Sequence, residues 1–93
     1  MTVSTNGYEA KVVSYITRYL KEDRQVKEMP VITRASKIAD LFDSLDKIEI
    51  IMDFEKEYEI NIPEEEADRW KNVGDIVSFI ERKAREKKAN QKL

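Results

Sequence analysis

The stretch Asp43–Tyr58, DSLDKIEIIMDFEKEY, decides the fold because it joins one serine to the longest amphipathic helix that the sequence predicts. Asp43 is a favourable N-cap residue, and Asp46 three positions later forms a capping-box pair with it. Ser44 then occupies the first helical position, at the positive end of the helix dipole, with its hydroxyl facing outward. Free backbone N–H groups at such an end stabilise a phosphate group. The stretch therefore predicts a helix that begins with an exposed serine.

The two faces of this helix differ when residues are placed at about 100° per residue. The face predicted to pack against a core carries four apolar side chains: Ile50, Ile51, Phe54 and Tyr58. Leu45 and Met52 lie almost opposite, on the face that carries Glu49. Single exposed apolar residues are ordinary in soluble proteins, whereas apolar anchors within an acidic rim are typical of a docking surface. Both interpretations stay open. Lys47 falls in the core sector, and we expect it to escape past the end of the bundle.

The chain before Asp43 predicts one helix and a long connection. Asn6 and Glu9 resemble a capping box, which predicts a helix from there to about Glu22. Its apolar positions follow helical spacing: Tyr8, Val12, Val13, Ile16, Tyr19 and Leu20. The segment 23–40 has no sustained period, although Val31-Ile32 and Ile38–Leu41 can pin it to the bundle. A loop of this length is typical of a functional segment or of a connection between elements that run in the same direction.

The chain after Tyr58 predicts a short helix and a final long one. Ile60–Pro63 alternates and ends at proline, which indicates an extended connector. Pro63 suits the first position of a short helix whose buried contacts are Ala67 and Trp70. Asn72 and Asp75 again resemble a capping pair. The final helix should bury its apolar side: Val73, Ile76, Val77, Phe79 and Ile80. We expect one domain over 1–93, with 1–6 and 86–93 flexible.

Composition favours an all-α protein and excludes several classes of chemistry. The 93 residues include only two glycines and two prolines with 39% charged residues, a composition that favours a helical bundle. The sequence has no cysteine and no histidine, so disulfides, thiolate catalysis and histidine acid–base catalysis are excluded. The calcium-loop pattern of oxygen ligands is missing as well, and we expect no metal site and no catalytic residue. No apolar run approaches the length of a membrane span, and we expect a cytoplasmic monomer.

Charge is distributed unevenly along the chain. The segment 43–68 holds eleven acids and two lysines, a charge of −9, so the remainder carries +7 of the total of −2. Such polarity steers association with a basic partner surface, while the simpler alternative is that charges solvate helix faces. The basic residues beyond Ile80 are interrupted by acids and lack interleaved aromatic residues, so we expect no binding of nucleic acid.

The order of residues from Ala39 to Ile80 resembles acyl carrier proteins. The similarity is carried by Asp43-Ser44-Leu45-Asp46, then by Ile48–Met52 and Phe54–Tyr58, then by Ile60–Ala67 and Val73–Ile76. In the first helix, only the pattern of residues is similar to that family. The resemblance implies a four-helix bundle: three main helices, a short third helix, and a long loop between helices 1 and 2. One departure is Phe42, which stands where this family has a glycine that lets the loop turn before the serine.

The resemblance also implies a function for Ser44. A separate phosphopantetheinyl transferase would esterify Ser44 with 4′-phosphopantetheine, and Asp43 would flank the serine at that interface. The thiol of the arm would carry acyl groups as thioesters for fatty-acid, polyketide or related lipid biosynthesis. Acyl-transferring and condensing enzymes with basic patches would dock on one set of residues: Leu45, Asp46, Glu49, Met52, Glu55 and Ile62. A bound acyl chain would enter an interior lined by five others: Ile50, Phe54, Ile62, Ala67 and Ile80.

Two alternatives stay open at the level of sequence. An aminoacyl or D-alanyl carrier shares Asp-Ser-Leu or a similar motif, and the enzyme that loads the arm would distinguish it. A helical interaction module could keep the same fold without the modification. It would lack the arm and still bind a protein partner.

Overall fold

The computed structural model describes residues 3–23, 25 and 27–91, and within them five α-helices are joined by loops. The helices are α1 (Val3–Arg18), α2 (Ile38–Leu41), α3 (Ser44–Tyr58), α4 (Glu64–Arg69) and α5 (Val73–Gln91). A π-helical turn, Tyr19–Asp23, extends α1. The predicted all-α bundle is confirmed, with α2 as an additional short helix inside the long connection.

The predicted limits of the helices hold for α3 and need correction elsewhere. Helix α1 begins at Val3, so Asn6 lies within it and is not its N-cap. Pro63 is the N-cap of α4 and not its first helical residue. The ends expected to be flexible, 1–6 and 86–93, lie partly outside the described residues, and the helices reach Val3 and Gln91.

The core lies between α1, α3 and α5, and α4 closes one side of it. The largest fully buried side chains come from these three long helices: Val12, Ile16, Phe54, Val73, Val77 and Ile80. All five apolar positions predicted for the last helix are buried, as are Ala67 and Trp70 of the α4 segment. The predicted stripe of α3 is confirmed too, since Ile50 and Phe54 are buried and Tyr58 packs against the core. Helical spacing of apolar residues therefore predicted the core.

The long connection is held to the bundle by backbone bonds to the start of α5. The N–H groups of Ile38, Val73 and Gly74 donate to carbonyls across this junction at 2.8–3.0 Å. A Cβ on Gly74 would lie 3.2 Å from the Arg34 backbone oxygen, a tight contact that glycine avoids. Arg34 itself reaches Glu9 of α1 and Ser78 of α5. Ile38 is buried and Ile32 and Leu41 pack against the core, so these residues pin the loop as predicted, whereas Val31 is 85% exposed and does not.

Helix α3 is capped at both ends. At its end, Glu59 adopts a left-handed conformation (φ 55°, ψ 50°), and its N–H donates to the Glu55 carbonyl. The Lys87 ammonium of α5 donates to the Tyr58 and Glu59 carbonyls at 3.4 and 3.3 Å and pairs with the Glu59 carboxylate at 3.0 Å. A cation at this position is favourable to the helix dipole. These contacts set the position of α3 along its own axis.

Candidate functional site

Ser44 is exposed at the first position of α3, as predicted. The Asp46 N–H donates to the Asp43 carboxylate at 2.9 Å, and the Asp43 N–H donates to the Asp46 carboxylate at 3.2 Å. This is the predicted capping box, and Lys47 N–H closes the first helical turn on the Asp43 carbonyl at 3.0 Å. The bonds hold the backbone on both sides of Ser44 while its side chain stays open to solvent.

Phe42 anchors the loop before Ser44. Its backbone is extended (φ −135°, ψ 150°), so the chain needs no left-handed residue at the point where the related family has a glycine. The Phe42 N–H donates to the Ile38 carbonyl at 2.9 Å. Its ring is buried and meets the Tyr19 ring edge-on, with the centroids 6.0 Å apart. Phe42 thus fixes the loop by packing where glycine would permit a tight turn.

Asp46, which the resemblance placed on the docking face, is buried, with 8% of its surface exposed, and its part in docking stays a prediction. The Tyr19 hydroxyl lies 2.9 Å from the Asp46 carboxylate and 2.8 Å from the Glu49 carboxylate. One hydroxyl carries one proton, so Tyr19 donates to one of these acceptors at a time. Burial raises the pKa of Tyr19 well above its usual value, and the bonds to Glu49 and then Asp46 raise it further. The cluster ties the end of α1 to the first turns of α3.

The exposed face of α3 carries three large apolar side chains. Leu45 is 74% exposed, Met52 is 61% exposed and Ile48 is 54% exposed. The exposure of Leu45 and Met52 agrees with helical geometry, and Ile48 adds a third apolar side chain to this face. Glu49 is exposed beside them although it accepts from Tyr19. Their role in docking stays a prediction.

A groove of about 420 Å³ runs between α3 and α4 and begins at Ser44. Ile62 and Ala67, both buried, line its inner part, and Ile51 and Met52 line the α3 side. The extended connector turns Ile62 inward, as expected, beside the groove that Ser44 also lines, and its place in docking stays a prediction. The groove therefore brings Ser44 together with apolar side chains of α3, α4 and the connector.

Glu55 shapes this groove from within the protein. Its carboxylate accepts from the Ile62 N–H at 2.8 Å and satisfies a backbone donor of the connector. The side chain is half-buried, and its expected contribution to docking stays a prediction. Glu55 holds the connector against α3.

Lys47 is the groove residue that sequence reasoning missed. Helical geometry placed it in the core sector, and it is half-buried and lines the groove, whereas we expected it to escape past the end of the bundle. Its spacing of three residues from Ser44 was a signal of proximity, since side chains three apart on a helix are neighbours. The acids on the α4 side, Glu64 and Asp68, could not be assigned to the groove without the packing of α4.

A second groove, of about 650 Å³, lies between α1 and α3 and does not include Ser44. The Tyr15 hydroxyl donates to the Asp53 carboxylate there, and Arg18 lies over the Tyr15 ring. No group of three or more acidic side chains able to hold a metal ion is found in the described part of the chain. None of the helices over 3–23 and 27–91 is both long enough and apolar enough to cross a membrane.

Comparisons with known proteins point to one family. No family model matches the chain. An acyl carrier protein of Akkermansia muciniphila is 40% identical over 81 residues, which cover 86% of this chain and 96% of that protein. An acyl carrier protein of Rickettsia canadensis is 36% identical over 78 residues, which cover 83% of this chain and 86% of that protein. The crystal structure of an acyl carrier protein from Thermotoga maritima matches with a TM-score of 0.71 and 25% identity, over 85% of this chain and 93% of that one.

Proposed function

The chain belongs to the acyl carrier protein family, and on that premise we propose that Ser44 carries 4′-phosphopantetheine and that the arm bears acyl groups as thioesters. The observation that carries the proposal is the exposed Ser44 side chain at a capped helix start, with a groove leading away from it. The sequence has neither cysteine nor histidine, so a reactive thiol has to come from an attached group.

The residues around Ser44 fit an attached phosphate ester. The hydroxyl is open to an incoming transferase, and the capping box keeps the neighbouring backbone in place. The positive end of the α3 dipole favours an anion at this position. The thiol of the arm supplies the thioester chemistry, and the protein itself acts as a carrier that is not an enzyme. Partner enzymes perform the acyl transfer and condensation.

The groove beside Ser44 is the proposed site for the cargo. Ile62 and Ala67 line the groove and belong to the buried cluster, which also contains Ile50, Phe54 and Ile80. A short acyl chain that covers these apolar side chains would gain about 0.8 kcal/mol per buried methylene. The pathway would be fatty-acid, polyketide or related lipid biosynthesis in the cytoplasm.

The partner surface is proposed to be the exposed face of α3. Leu45, Ile48 and Met52 are the apolar anchors, and Glu49 is the acid among them. Basic patches on a phosphopantetheinyl transferase and on acyl-transferring enzymes would complement the acidic segment around this face. The buried Asp46 and the internally bonded Glu55 support the face from below. The carrier would act as a monomer that binds these enzymes in turn.

The test is loading by a promiscuous phosphopantetheinyl transferase with coenzyme A, followed by intact-protein mass spectrometry. The wild type should gain one arm, and Ser44→Ala should gain none. Ser14→Ala, which removes an exposed serine of α1, is the matched control and should load like the wild type. A wild type that no transferase loads, or a Ser44→Ala protein that still loads, would overturn the proposal.

A further inference from the structure

Lys47 is the cation that lines the groove beside Ser44. The groove residues in the described chain include three carboxylates, at Glu55, Glu64 and Asp68, and a single ammonium. Lys47 lies within the acidic segment 43–68, whose charge is −9. Its side chain is half-buried, which places part of the aliphatic stem against the protein and the ammonium near the groove.

The Lys47 ammonium has no hydrogen bond or ion pair with any described residue, although three carboxylates line the same groove. The nearest of them in sequence, Glu55, is engaged by the Ile62 N–H at 2.8 Å. In contrast, Lys87 on α5 is bound by carbonyls and by a carboxylate. Lys47 is thus placed in the groove as a donor without an acceptor of its own.

The geometry of α3 brings Lys47 to Ser44. Side chains three residues apart on a helix have Cβ atoms about 5–6 Å apart. Each Cα–Cβ bond also tilts toward the helix N-terminus, so the longer side chain of Lys47 leans toward the turn that holds Ser44. A group esterified to the Ser44 oxygen therefore enters the space that the ammonium can reach.

We propose that Lys47 forms an ion pair with the phosphate of the Ser44 ester and directs the arm along the groove between α3 and α4. This inference rests on the proposed attachment at Ser44. The ester phosphate keeps one negative charge, and the pair would fix the arm at its first joint. The rest of the arm then lies over the groove side chains Ile51, Met52 and Ile62. Lys47 is a positioning residue, because it acts on the attachment and not on the acyl group.

The chain permits a specific probe of the arm. The sequence has no cysteine, so the thiol of the arm is the single thiol of the loaded protein. A neutral nitroxide attached there reports, by electron paramagnetic resonance, the ratio of immobilised to mobile arm. Exposed ion pairs are weak, so Lys47→Gln should lower this ratio by roughly two- to fivefold. Raising the ionic strength from about 0.01 M to about 1 M shortens the Debye length from about 30 Å to about 3 Å and should lower the wild-type ratio likewise.

The matched control is Lys56→Gln, which removes an exposed lysine of the same helix outside this groove. It should keep the wild-type ratio, and Lys47→Arg should restore most of it. A second readout without a label is the ³¹P resonance of the ester, which should shift with Lys47→Gln and not with Lys56→Gln. Circular dichroism checks that each variant is folded.

Three outcomes would overturn the inference, and each is separable from a failure of the attachment. Equal ratios and equal ³¹P resonances in the wild type and Lys47→Gln would show that the ammonium does not bind the phosphate. If Lys56→Gln changed the ratio and the ³¹P resonance as much as Lys47→Gln, the change would be explained by net charge and not by a contact of Lys47. If the wild type and Lys47→Gln differed only when the label bears a carboxylate, Lys47 would bind the group at the end of the arm and not the phosphate. Mass spectrometry of the loaded protein measures the attachment itself. A protein that gains no arm would therefore count against the proposed function and not against the role of Lys47.

Discussion

The Tyr19 hydroxyl offers a sharp test of how α1 holds the helix that carries Ser44. Tyr19→Phe keeps the ring, which packs edge-on against Phe42, and removes only the group that lies 2.9 Å from Asp46 and 2.8 Å from Glu49. A hydrogen bond to a charged group contributes about 1.5–3 kcal/mol to stability, and Asp46 keeps its bond from the Asp43 N–H in the variant. Since Asp46 is 8% exposed, we expect Tyr19→Phe to lower the free energy of unfolding by about 1.5–3 kcal/mol.

Urea denaturation at pH 7, followed by circular dichroism, measures this change as a lower midpoint at constant slope. The matched control is Tyr15→Phe, one turn earlier on α1, because the Tyr15 hydroxyl donates to Asp53, whose side chain is exposed. Water can replace that bond, so the loss should stay below about 1 kcal/mol. If Tyr19→Phe costs no more than Tyr15→Phe, the argument from the buried Asp46 carboxylate is refuted.

Two further predictions concern pH and the two faces of α3. Burial and the bonds to Glu49 and Asp46 raise the pKa of Tyr19 above its ordinary value of 10.0, so above pH 10 the unfolded chain loses a proton that the native state keeps. The contribution of Tyr19 to stability should be constant below that pH and fall above it by up to about 1.4 kcal/mol per pH unit, so urea midpoints between pH 9 and 11 should fall less steeply in Tyr19→Phe. Phe54→Ala should lower the free energy of unfolding by about 3–5 kcal/mol, because residue 54 is 1% exposed. Met52→Ala should change it by no more than about 0.5 kcal/mol and should instead weaken turnover by partner enzymes. Equal losses of stability in urea denaturation would contradict the assignment of the two faces.

Local interactions made the helix of the candidate site predictable. The capping box of Asp43 and Asp46 spans three residues, so it can be read from the sequence and is present in the structure. The burial of Phe54 and the exposure of Met52 follow from helical periodicity, because opposite faces of one helix cannot both meet the core. The position of Ser44 at the start of α3 followed from the same reasoning.

Phe42 shows why the loop before Ser44 was harder to predict. Phe42 in place of the expected glycine suggested an altered turn. Only the structure showed that the backbone of Phe42 is extended. Its ring is accommodated by Tyr19, which lies far away in sequence. The start of α1 was misplaced for a related reason. Asn6 and Glu9 have the spacing of a capping box, but the helix begins at Val3.

The sequence by itself determined the helices, their apolar faces and the serine that begins α3, since each depends on residues within a few positions of one another. Only the tertiary structure decided that Asp46 is buried under Tyr19, 27 residues away, and that Glu55 is bound to Ile62 in the connector. It also placed Lys47 in a groove whose far side belongs to α4. Periodicity assigns a side chain to a face of its own helix, whereas the neighbour that meets that face depends on how helices pack and cross. The surroundings of a charged side chain are therefore a property of the packed bundle.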